Sequence, residues 1–447
     1  MTGVTERLSL TGAMGWFAVS YGIAIVGYLA LNSLASRLLG PADFGYFVIA
    51  LTVATLVGQL GLAGVHRSGL REAARLDTDD EEGLRELRRG VRAVSLTTLP
   101  AAAVACGAVT FVLAGAYNSP TRWSVALAMV LLVMLGGQQR VVANFLRGLG
   151  QTRLASLLEG RSGGAAVAVA QAALLALVLV LAPQWGLPGA LGAAALGYAI
   201  PVLLARRRLG SRWRHLRVRG RLLGDLRAVL RRDWRFTSNQ VATQLNSSVE
   251  LWIAGVVLSS VDTSLFGAAQ RLAFLLVVPL SSLQVVFAPA VARLIGSHDS
   301  TEAERLLRTG STLASAVTVL FWLPMVAVPG PLLGVVFGAA FEPAALVLVL
   351  LAVGYLANAF VGLCGTALIM SHHEGAVATM NWVAAISRVA VGLAAAAAFG
   401  LVGLGVSTVV ITAATFAGMW LITRRRLGIG THLTLRPDLG PIKRTAS

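Results

Sequence analysis

Apolar runs of about 20 residues alternate with short polar joints along almost the whole chain, the rhythm of membrane-spanning helices. Twelve runs stand out: 10–33, 44–65, 93–115, 123–143, 163–182, 188–205, 236–258, 265–289, 311–329, 343–370, 377–399 and 401–422. Helices are the choice because backbone groups in lipid must be bonded within their own segment. The in–out alternation of a barrel strand is absent. The first run is too long for a signal-peptide core and lacks a cleavage site, so it reads as the first span. The expected fold class is an all-α polytopic membrane protein with about twelve transmembrane helices in two six-helix halves.

Composition agrees. Of 447 residues, 56% are hydrophobic and 13% charged, about half the charged share of a soluble protein. The net charge of +17 has to be read by position. With the N-terminus in the cytoplasm, thirty-three of the thirty-seven basic residues fall in the loops on that side or, like Arg140, at a span end facing it. Arg37 and Arg122 fall outside, and Arg271 and Arg388 lie within spans. Such asymmetry is the positive-inside rule, and it sets both termini in the cytoplasm of a multi-pass cell-membrane protein.

The densest basic stretch is 206–235, with twelve arginines in thirty residues. Alone it resembles a nucleic-acid patch. Between two apolar halves it reads as a cytoplasmic linker, so no nucleic-acid partner is expected. Leu222, Leu223, Leu226, Val229, Leu230 and Trp234 repeat there at helical spacing, which predicts an amphipathic helix on the anionic lipids of the inner leaflet. The predicted organisation is a six-helix half at 1–205, this linker at 206–235, a second half at 236–422 and a cytoplasmic tail at 423–447. Two matched outer turns, Asp43 with Phe47 and Asp262 with Phe266, support a duplicated plan. The acidic run from Asp77 to Glu82 reads as a solvated helix beside Arg85, Arg88 and Arg89.

The first hairpin, Ala35-Ser36-Arg37-Leu38-Leu39-Gly40-Pro41-Ala42-Asp43-Phe44-Gly45, resembles the opening turn of the polysaccharide-transporter proteins of the O-antigen flippase type. These belong to the multidrug/oligosaccharidyl-lipid/polysaccharide (MOP) exporter superfamily. Phe266 to Leu272 and Leu333 to Phe341 resemble further places in that family. The resemblance implies a V-shaped twelve-helix bundle with alternating access. It also implies a flippase that moves lipid-linked oligosaccharide on a polyprenyl pyrophosphate across the cytoplasmic membrane for polysaccharide assembly. Other polysaccharide-assembly proteins are expected partners. Glu250 stands where many relatives carry Asp.

A sugar–pyrophosphate head needs cations for its phosphates and amides for its sugars. Charges inside spans are costly and mark function or a partner. Arg271 and Arg388 are candidate pyrophosphate ligands, since a guanidinium fork fits such oxygens. Glu250 is a candidate for ion coupling, or for a structural pair with Arg271. Gln240, Gln244 and Ser247 form a polar stripe in span seven, and Asn32, Asn358 and Asn381 are further lining candidates, each equally suited to helix–helix bonding. Arg140, Asn144 and Arg147 share one helical face and are candidates to receive the head from the inner leaflet, though plain anchoring explains them too. Cys106 and Cys364 read as buried packing residues. No cofactor or metal is expected, and the lack of a Gly-x-x-x-x-Gly-Lys loop argues against ATP hydrolysis. The alternatives are a drug/cation antiporter of the same superfamily and a membrane-embedded polysaccharide polymerase or ligase. The second is disfavoured by outer loops that are short and without histidine; no enzyme is expected.

Overall fold

The computed structural model describes residues 10–73, 81–115, 118–148, 151–158, 164–215, 222–297 and 300–434. Most of the acidic run (77–80), Arg161, the linker arginines Arg217, Arg219 and Arg221, and the tail beyond Thr434 lie outside the described residues. Every regular element among the described residues is helical. Eight stretches are long and apolar enough to cross a membrane. Two of them, Val19–Gly61 and Glu374–Leu427, each hold a pair of spans, and the shorter apolar helix Ala165–Leu181 is another. With the more polar helix Leu222–Val257, the count comes to about twelve.

The chain divides into two compact units, Met1–Val241 and Ala242–Ser447. The first holds α1 (Leu10–Gly61), α2 (Val65–Ala73), α3 (Glu81–Leu96), α4 (Thr98–Leu113), α5 (Ser119–Gly148), α6 (Thr152–Leu158), α7 (Ala165–Leu181) and α8 (Gly186–His215). α9 (Leu222–Val257) starts in the first unit and ends in the second. The second continues with α10 (Ser260–Ala273), α11 (Val278–Gly296), α12 (Ser300–Ala327), α13 (Pro329–Phe337), α14 (Ala345–Val361), α15 (Cys364–Met370) and α16 (Glu374–Leu427).

The first two spans form a single run broken at Gly40, whose φ of 64° and ψ of −176° lie in a region open essentially to glycine. Pro41 follows and bars the helical conformation from the residue before it, so Gly40-Pro41 makes a turn of one residue. Gly400 (φ 60°, ψ −143°) breaks α16 in the same way between the last two spans. Phe44 and Phe47 beyond the first turn, and Phe266 beyond the matched one, are fully buried.

The linker differs from expectation. Leu222 to Trp234 form no separate surface helix; they are the start of α9 and continuous with span seven. Leucine and arginine predominate in this stretch, and no glycine or proline after Gly224 interrupts it. Val229 and Asp233, four residues apart, are the buried positions, while Leu223, Leu230 and Trp234 are exposed. The chain after α16 differs too. Gly428 ends the helix in a left-handed cap, and the next residues, without regular structure, pack onto the second unit. Leu433 N–H donates to the Phe360 carbonyl (3.0 Å), Thr431 Oγ1 to that of Val361 (2.9 Å) and Thr434 N–H to Thr312 Oγ1 (2.9 Å). Ile429 enters a core with Leu306, Leu363 and Ala367.

Candidate functional site

In the second unit, two helix faces meet in register. On α9 it is Asn246, Glu250 and Ile253; on α16 it is Asn381, Arg388 and Gly392. Asn246 Nδ2 donates to the Asn381 carbonyl at 2.7 Å. Arg388 Nη1 donates to Glu250 Oε1, and Nη2 donates to Thr412 Oγ1 at 2.8 Å. A side chain at Gly392 would begin 2.9 Å from Ile253 Cδ1, so glycine permits the close approach. Glu250 (2% exposed) and Arg388 (7%) are both out of water. Glu250 was expected to pair with Arg271 or to stand ready for an ion. Its bonded partner is Arg388 instead, because residues 250 and 388 fall level on parallel helices. Arg271 is buried on α10.

Polar residues around this pair mostly bond to helices. Gln244 Nε2 donates to Ser248 Oγ at 2.9 Å, and Ser247 Oγ donates to the Gln244 carbonyl at 3.0 Å. Asn358 on α14 is buried, and its Oδ1 has no hydrogen-bond partner. All three residues of the predicted stripe, Gln240, Gln244 and Ser247, lie on α9, the last two in the second unit and Gln240 in the first.

There, Gln240 Nε2 lies 3.2 Å from His66 Nε2 on α2. His66 is buried, and its pKa falls to about 3, first through burial and then through Arg140 and Arg67. Arg140 is half-buried on α5 and its Nη1 donates to the Thr55 carbonyl at 3.1 Å. Among the described residues no carboxylate is its partner; its electrostatic neighbours are Tyr198 and Arg67. Asn144 turns back to the Arg140 carbonyl (2.8 Å), and Arg147 is half-buried one turn further on. Asn32 is fully buried on α1; its Nδ2 donates to the Tyr28 carbonyl at 2.7 Å, while its Oδ1 has no partner. Arg206 reaches Gln138 Oε1 on α5.

A second buried acid was not among the candidates. Asp233, with no exposure, accepts from Ser68 Oγ (2.6 Å) and from Arg232 Nε (3.0 Å) and Nη2 (3.2 Å). Arg232 also pairs with Glu72 at 3.1 Å. Gly64 (φ 79°) permits this, since a Cβ there would begin 2.8 Å from the Asp233 carbonyl. Among the described residues the buried carboxylates are Asp233 and Glu250, and each is bonded to an arginine. No three histidines, cysteines or acids among the described residues gather as a metal would require.

Neither a protein-family profile nor a curated protein sequence matches this chain. Solved structures do. An inward-facing multidrug resistance MATE transporter of the MOP superfamily aligns with TM-score 0.66 at 15% identity, over 95% of this chain and 96% of that one. The fold is that of the MATE transporters of the MOP superfamily. An outward-facing multidrug resistance MATE transporter aligns with TM-score 0.54 at 16% identity, over 96% of this chain and 98% of that one. A MOP-superfamily transporter from Pyrococcus furiosus Vc1 aligns with TM-score 0.56 at 17% identity, over 96% of this chain and 98% of that one. That protein is described by the reverse polarity of its binding pocket, which suggests a different function for it.

Proposed function

We infer that this chain is a secondary transporter built on the MATE fold and that its cargo is anionic. The cargo class that fits its charges best is a lipid-linked oligosaccharide on a polyprenyl pyrophosphate, moved across the cytoplasmic membrane. The observation behind this is the pairing of charges. Among the described residues both buried carboxylates are neutralised by arginine, whereas half-buried Arg140 has no carboxylate partner there. His66 beside it is kept neutral, first by burial and then by Arg140 and Arg67. A guanidinium in low dielectric attracts phosphate oxygens strongly. Arg147, Arg271 and Arg388, with the amides of Asn32, Gln240, Gln244, Asn358 and Asn381, are proposed to serve the same head group during the cycle. For Glu250 to couple an ion it must first release Arg388. The arginine-rich ends of the helices are proposed to face the cytoplasm. There Leu223, Leu230 and Trp234, exposed beside Arg227, Arg231 and Arg235, suit an anionic leaflet.

A MATE-like drug/cation antiporter is the second reading, and the structural likeness backs it more directly than the first, since the aligned MATE structures include multidrug resistance transporters. Vesicles holding only this protein separate the two. On the first reading, a fluorescent polyprenyl-pyrophosphate oligosaccharide changes leaflet faster than in empty vesicles, and Arg140→Gln abolishes the difference. On the second, a cationic dye moves against a proton or sodium gradient while the lipid does not, and the anionic-cargo reading fails.

A further inference from the structure

The first unit carries an apolar cavity of about 570 Å³ where α5, α7 and α8 come together at the ends near Trp123 and Trp185, a volume in the range of small-molecule sites. Leu174, Leu177, Val178, Ala193 and Leu196 supply its walls. Among the described residues no charged side chain lines it. Thr121, Ser124 and Gln184 form the polar part of its rim.

Two glycines on α8 show that the space is built. Gly189 is there for packing, because a Cβ would begin 2.8 Å from Trp185 Cβ and 3.0 Å from Val178 Cγ1. Gly192, three residues on, is different: a Cβ there meets no atom within 4 Å. The helix therefore leaves the cavity floor bare at the position where any other residue would begin to fill it. The cavity is also continuous with the outer surface of the spans. Leu177 and Leu196 line it and are themselves about half exposed, and Val180, Leu181 and Ile200 beside them are exposed aliphatics. In a bilayer that surface faces hydrocarbon. The mouth lies at headgroup level by its anchors. Trp123 and Trp185 are exposed there, as interfacial tryptophans are. Arg122 donates to the Phe111 carbonyl at the end of α4 through Nε (3.2 Å) and Nη2 (3.1 Å), with its guanidinium over the Phe111 ring.

We propose that this cavity holds one acyl chain of a bilayer phospholipid as a bound, non-annular lipid, with its headgroup against Gln184, Ser124 and Thr121. An uncharged wall, an entrance from the hydrocarbon and a hydroxyl–amide rim at the interface match an amphiphile that arrives sideways from the leaflet. The site is independent of the transported cargo.

The test uses the full chain in nanodiscs of phosphatidylethanolamine and phosphatidylglycerol, doped with phosphatidylglycerol bearing a diazirine in one acyl chain. After irradiation, the labelled residues are mapped by mass spectrometry. The lipid-facing side of α12, where Leu313, Val317 and Leu320 are exposed, reports ordinary annular contact. Labelling of the cavity wall is expected to exceed it by about tenfold, the ratio for a lipid held tighter by about 1.4 kcal/mol. Gly192→Phe should return it to the annular level, and so should Leu196→Trp, which closes the mouth from the exposed side without altering the glycine. Equal labelling at the two faces, or labelling unchanged in both variants, overturns the site. Displacement of the labelled lipid by trace polyprenyl phosphate overturns the phospholipid assignment.

Discussion

The buried pair Glu250–Arg388 yields the most exposed prediction. Glu250→Gln removes the charge but keeps the shape. It leaves the Arg388 guanidinium out of water with a neutral amide, Thr412 Oγ1 at 2.8 Å, and a buried Nε that has no acceptor. Removing one partner of such a pair costs about 3–5 kcal/mol, because the survivor is an uncompensated buried charge. Arg388→Met should cost a similar amount, for the carboxylate is then the stranded ion. The double variant E250Q/R388M strands nothing, and its loss should be smaller than either single loss, since replacing both ions is often nearly neutral. For a unit of this size, about 2–4 °C accompanies each kcal/mol, so each single variant should melt about 6–20 °C lower. The assay is thermal unfolding of purified protein, followed by the fluorescence of its tryptophans, on all four members of the cycle. Single losses that simply add in the double variant would refute the reasoning, because additive losses mean that the two side chains do not interact. A transport defect with unchanged melting in Glu250→Gln would instead give Glu250 the coupling role.

Three further outcomes are expected. Gly40→Ala should destabilise by about 1–3 kcal/mol, measured by the same melting assay; a Cβ there meets nothing within 4 Å, so the cost is backbone conformation, and unchanged melting would disprove it. Since the His66 pKa lies near 3 in the fold against 6.5 in an unfolded chain, the unfolded state takes up the proton first as pH falls. The stability that His66 lends is then complete above pH 6.5 and is lost downward through that value, by about 2 kcal/mol at pH 5; His66→Gln should flatten this part of the melting profile. Ile429→Ala should cost about 2–5 kcal/mol, and a chain ending at Leu427 should lose at least as much. Both would melt like the intact protein if the segment after α16 were a passive tail.

The kind of element and the approximate number of spans were legible in the sequence. Runs of about twenty apolar residues have few other folded forms, and a turn such as Gly40-Pro41 is local, written in the conformational limits of two adjacent residues. The positions of Arg271, Arg388 and Glu250 as charges inside spans were equally legible, because a charge in an apolar run needs no tertiary knowledge to be noticed. Which charge meets which is settled by packing. Glu250 and Arg388 are 138 residues apart, and their meeting depends on the rotation and register of two helices, with Gly392 as the small residue that lets them close. Asp233 stands among arginines in the sequence, yet in the fold Ser68 and Gly64 make it a buried acceptor. The segment after Leu427 has the composition of an ordinary tail; its place in the second unit is set by carbonyls at the end of α14. The bare floor at Gly192 is likewise a property of the space around the helix. Periodicity reports which face of a helix is apolar, and only packing reports what that face touches.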